Sequence, residues 1–176
     1  MTMILTRITA LEKTFVTGHW NNLFIGIWRG PASVVAANEW GRQYEHMEAR
    51  YPAGFMSLGI VEAQTPIPDG PTRKALSAAM DRAGGAIRAM AGIQEASGFT
   101  GAAIRSILLA LSNMSSGPFP RRMFGSCTEA SSWLSSHFDS SVQPVTSEQL
   151  LTVVTEFRAL VDPQRARAIP PWRSVA

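Results

Sequence analysis

The sequence predicts an α/β domain: a mixed, mostly parallel sheet of about five strands covered by helices, plus one extra C-terminal helix. Short apolar runs bounded by glycine, proline or polar turns (Leu23–Trp28, Phe55–Val61, Ile87–Ile93) alternate with longer stretches of helical period. Each helical stretch carries a single apolar stripe, the pattern of a helix laid over a sheet. At 176 residues the chain is long enough to bury a core without disulfide staples.

Taken in order, the segment from Ile8 to Gly30 reads as a hairpin. Leu11, Phe15 and Val16 mark an edge strand, His19-Trp20-Asn21-Asn22 a turn, and Leu23–Trp28 a more buried second strand. Gly30-Pro31 opens a helix whose stripe is Ala36, Trp40, Tyr44, Met47 and Tyr51, stopped by Pro52 and Gly54. Phe55–Val61 is too short for a helix and reads as a strand. A proline-rich loop then leads into a helix over about Pro71–Ala83, with Leu76, Ala79, Met80 and Ala83 inward. Gly84-Gly85 predicts its left-handed cap.

The stretch from Ala86 to Met114 organises the rest: a strand, a small polar turn, then a helix with Ile104, Ile107, Leu108 and Leu111 on one face. Beyond it, Arg121–Phe124 reads as a short strand. Ser126…Glu129 and Thr146…Gln149 match capping boxes for two further helices. Trp20 and Trp28 flank the hairpin as packing residues that can be half exposed. The expected division is an α/β unit over 1–140, an appended helix over 141–163 and an irregular tail over 164–176. The appended helix packs either on its own sheet or on a second copy, so a homodimer is one expectation.

Composition narrows the function classes. The net charge is only +3, and the arginines are scattered rather than striped with aromatics, so a nucleic-acid partner is not expected. No apolar run approaches the roughly 20 residues that cross a bilayer, and the N-terminus lacks a signal-peptide pattern. Cytoplasm is the expected location and no cofactor is implied. The histidines have no ligand spacing, and one cysteine excludes a disulfide framework or a four-cysteine zinc site. Gly98-x-x-Gly101 lacks both the P-loop lysine and the third glycine of a dinucleotide fingerprint.

Two places can carry chemistry. Cys127 sits at a helix start, where partial positive charge favours the thiolate, which makes a thiol-dependent enzyme one reading. Ser97 sits where a strand gives way to a helix, so its hydroxyl either caps that helix or accepts a phosphate. The abundance of Met, Phe and Trp with few charges suggests a third reading, a small-molecule or lipid-binding domain.

The order of elements resembles the STAS domain, the family of bacterial anti-sigma factor antagonists and the cytoplasmic domains of sulfate transporters. The resemblance covers about Ile8–Phe138. It rests on Glu95-Ala96-Ser97-Gly98-Phe99-Thr100-Gly101, which falls where that family has Asp-Ser-Ser-Gly-aliphatic-Gly, and on the Arg121–Leu134 strand and helix. Glu95 stands for the aspartate, Ala96 for the first serine, and Thr100 adds one residue. The resemblance implies a non-enzymatic regulatory module. Ser97, with Thr100 beside it, is the phosphoacceptor candidate. Glu95, Ser97, Gly98, Phe99 and Gly101 form the turn that meets a protein partner of the kinase or sigma-regulator type.

Overall fold

The computed structural model describes residues 7–83, 85–96, 98, 101–102, 106, 118–138 and 144–162. Its strands are β1 (Arg7–Leu11), β2 (Phe15–Trp20), β3 (Leu23–Trp28), β4 (Phe55–Val61), β5 (Ile87–Gln94) and β6 (Arg121–Phe124). Its helices are α1 (Val34–Arg50), α2 (Gly70–Arg82), α3 (Cys127–Ser135) and α4 (Ser147–Val161). The strands form one sheet in the order β1-β2-β3-β4-β5-β6. The first two pairings are antiparallel, and the three from β3 to β6 are parallel.

The expected α/β class is present, with one correction in the opening segment. Where a single edge strand was expected, two strands are paired, so the sheet has six strands among the described residues. Glu12 and Lys13 lie in the connection between β1 and β2. His19 and Trp20 belong to β2 rather than to a turn, opposite Phe24 and Leu23. The turn itself is Asn21-Asn22. Asn21 adopts φ +48°, a conformation that asparagine tolerates better than most residues.

Strand alternation sends side chains to two helical layers. Leu23, Ile25 and Ile27 of β3, with Leu58 and Ile60 of β4 and Ile93 of β5, join Leu134 of α3 and Leu150, Val153 and Phe157 of α4. α4 therefore packs on its own sheet. On the other face, Phe24, Trp28, Phe55 and Ile87 meet Trp40, Tyr44 and Met47 of α1. Trp20 and Trp28 are both buried.

The helix ends follow ordinary capping chemistry. α1 begins at Val34, three residues beyond Pro31, because Ser33 accepts the Ala36 N–H at 3.2 Å. Asp69 caps α2 through the Thr72 N–H at 2.8 Å; the Thr72 side-chain hydrogen bond first, and then this N–H, hold its carboxyl below the usual range. Thr146 and Gln149 form the reciprocal box of α4. In α3, Ser126 accepts the Glu129 N–H, and its hydroxyl donates to the Glu129 carboxylate at 3.1 Å. The C-cap of α2 is Ala83 at φ −94°, and Gly84 lies outside the described residues.

The α1 face is shaped by a row of glycines. Gly26 of β3 is in register with Gly59 of β4, Gly59 with Gly92 of β5, and Gly92 with Met123 of β6. The Trp40 ring descends onto Gly26 so closely that a Cβ there would overlap it. Trp40 in turn stacks on Trp28, with ring centroids 4.9 Å apart and planes 13° from parallel. Because the clash is with a wedged indole, Gly26→Ala should destabilise the domain by about 1–3 kcal/mol, the usual cost of overpacking. Urea unfolding measures it, and a variant as stable as the parent would contradict this packing.

Candidate functional site

The carboxyl ends of β3, β4 and β5 gather the polar groups that the chemistry invites. Glu95, just past β5, pairs with Arg158 of α4 at 2.5 Å, both side chains being largely covered. Arg29, just past β3, reaches the Val161 carbonyl at 3.5 Å. A cation on the last carbonyls of a helix suits the negative end of its dipole. The last turn of α4 is thus tied to the ends of two strands.

The candidate turn is described only in part. Glu95 is half-buried and ion-paired, and Ala96 is buried. Gly98 is exposed with φ +66°, a backbone region that favours glycine. Gly101 is buried. Ser97, Phe99 and Thr100 lie outside the described residues, as do Ile104, Ile107, Leu108 and Leu111.

Cys127 is the first residue of α3, as its position after Ser126 predicts, but its expected acidity is corrected. The thiol is pushed up, chiefly by burial. Arg158 opposes this with its charge and a hydrogen bond, and Glu95 adds to the rise. The thiol is packed against the α3–α4 core. Burial outweighs any gain from the helix start, so the thiolate is disfavoured. Glu95, Cys127 and Arg158 nevertheless form one cluster, and Arg158 is its member that sequence reasoning missed.

The histidines sit elsewhere. His137 is held at the end of α3 by the Trp133 carbonyl, 3.0 Å from its Nδ1. His19 and His46 line a groove beside α1. Among the described residues no group of three His, Cys, Asp or Glu side chains is arranged to hold a metal ion. No described helix is long and apolar enough to cross a membrane.

A second site lies on the opposite face, over the glycine row. There a cavity of about 130 Å³ is walled by the stacked Trp28 and Trp40, by Met80 of α2 and by Met123, with Arg121 beside it. Tyr44 and Ser57 also line it, their hydroxyls 2.9 Å apart. Burial raises the Tyr44 pKa, so the phenol stays protonated and able to donate. The abundance of Met and Trp hinted at a pocket, whereas its floor depends on strand register and had no sequence signal.

Comparison of the chain with models of protein families, with curated proteins and with solved structures found no match.

The burial of Cys127 has a measurable consequence. Iodoacetamide labelling of the native protein should rise with a midpoint above the free-thiol value of about 8.5. The unfolded thiol ionises first, so this group's contribution to stability is full below about pH 8.5. It is lost as pH climbs through the folded-state value. A labelling midpoint below 8 would show a thiolate-stabilising site instead.

Proposed function

We propose that the protein is a non-enzymatic regulatory module, resembling STAS anti-sigma factor antagonists, that binds a partner protein through the turn after β5. Phosphorylation at Ser97, or at the neighbouring Thr100, switches the binding. The partner is of the kinase or sigma-regulator type by that resemblance.

The observation that carries this reading is the exit from β5. A central parallel strand leads out of the carboxyl edge of the sheet, where α/β folds commonly meet ligands and partners. Glu95 is clamped there by Arg158, and Gly98 turns through a left-handed backbone. A phosphate within this turn would add about −1.5 to −2 charge. In the sequence Ser97 stands two residues from Glu95, whose carboxylate is paired with Arg158.

A second reading, a small-molecule-binding domain of the same architecture, is favoured by the cavity over the glycine row. It needs no phosphorylation and uses the opposite face of the sheet.

The switch is tested by recovering the full-length protein with its partner from native lysate and mapping phosphopeptides. Once the partner is identified, binding is measured with purified components. Ser97→Asp should abolish or invert that binding, whereas Ser97→Ala should retain the unphosphorylated behaviour. Equal affinity of both variants and the parent for the identified partner would overturn the switch.

A further inference from the structure

The geometry points to the groove between β6 and α3 as a docking site for an extended acidic peptide of a partner protein. The peptide adds to the sheet as a strand beside β6 and sets a carboxylate against Arg122. This goes beyond the regulatory reading and uses neither the Ser97 turn nor the cavity over the glycine row.

The backbone of β6 provides the edge. Met90 of β5 stands opposite Arg121, and its N–H donates to the Pro120 carbonyl at 3.0 Å. In a parallel pair that pattern engages the peptide groups of alternate residues on the facing strand. The N–H and C=O of Met123, which stands opposite Gly92, are therefore directed away from β5. Among the described residues no strand lies beyond β6. Such an edge takes an added strand through main-chain hydrogen bonds, while neighbouring side chains choose its sequence.

A groove beside this edge supplies those side chains. It holds about 610 Å³ between the end of β6 and the α3 residues Glu129, Ser132 and Trp133. Arg122 and Phe124 stand two residues apart on β6 and share the α3 face. Phe124 leans on Trp133, with ring centroids 5.7 Å apart. An added strand thus meets an aromatic surface at one position and a cation two residues away.

Charge selects the acid. Arg122 is exposed, and its guanidinium lies over the Phe124 ring, 5.3 Å from the centroid. That stacking uses the flat face of the group. Its in-plane N–H donors match a carboxylate with two parallel hydrogen bonds. Arg122 takes part in none of the ion pairs among the described residues. On the α3 wall, the Glu129 carboxylate is already engaged, accepting the Ser126 hydroxyl at 3.1 Å. A second copy is the poorer occupant, because β6 reads Arg121-Arg122-Met123-Phe124 and brings no acid to Arg122. The fitting segment has an acid and an apolar residue two positions apart, on one face of an extended chain.

The test selects a displayed library of random octapeptides against the full chain. Enriched sequences are then synthesised and measured as free peptides by isothermal titration. An acid two positions from an apolar residue should be enriched, and the free peptide should bind saturably. Arg122→Glu changes an exposed side chain. It should weaken that peptide by about tenfold to a hundredfold and turn the selection toward lysine or arginine. Bound peptide should also slow hydrogen exchange at the Met123 amide, which an added strand protects. No enrichment, or enrichment of basic sequences, would overturn the acidic-peptide assignment. Unchanged affinity in Arg122→Glu would overturn the location. Unaltered exchange at Met123 with peptide bound would overturn strand addition. A concentration-dependent dimer that protects Met123 without any peptide would assign the edge to a second copy instead.

Discussion

The close approach of α1 to the sheet is the constraint on which the rest of the architecture turns. It is set where the Trp40 indole lies on the bare backbone of Gly26. With Trp40 at that depth, Trp28 can stack beneath it, and Phe24 meets both Trp40 and Tyr44 edge-on, at 5.2 and 4.8 Å between centroids. The same depth brings Gly41 of α1 against Ala79 of α2, where an added Cβ would lie 3.1 Å from the alanine methyl. Two helices and three strands are therefore spaced by one indole against one missing side chain. Close-packed interiors transmit such a constraint because they have little void to absorb it.

The two faces of the sheet are built by different means. The α3–α4 face is aliphatic, with Leu23, Ile25, Leu58, Ile60 and Ile93 meeting leucine, valine and Phe157. Its side chains come from alternating strand positions and are buried. The α1–α2 face is aromatic and glycine-rich. The cavity walled by Trp28, Trp40, Met80 and Met123 lies on that face. The polar cluster around Glu95 and Arg158 lies with the aliphatic layer, so the two candidate sites are separated by the thickness of the sheet.

Local pattern carried much of this fold. The α1 stripe from Ala36 to Met47, the strands β4 and β6, and the Thr146–Gln149 box are all set by residues within one or two turns of each other. What the sequence hid was non-local. The segment before Leu23 divides into two strands because Glu12, Lys13 and Thr14 connect pairing partners, a fact that becomes visible only with the partners in place. His19 and Trp20 read as turn residues in isolation, yet cross-strand pairing draws them into β2. Cys127 sits where its neighbours predict, but its acidity is set by helix α4 and by Arg158, about thirty positions later. Gly26, Gly59 and Gly92 are unremarkable separately and align only through the register of three strands.

The succession of strands also bears on how the chain acquires its structure during synthesis. Every described strand pairs with its immediate predecessor in the sequence, so the sheet can extend in one direction as residues emerge, without waiting for a distant partner. One layer breaks this rule. Leu150, Val153 and Phe157 cover strands that end more than fifty residues earlier. Until they arrive, the aliphatic face is covered only in part, by Ala130 and Leu134 of α3, and the remainder is open to association with other nascent chains. A growing polypeptide of this design is most vulnerable late, just before α4 docks and its final turn is fastened to β3 and β5.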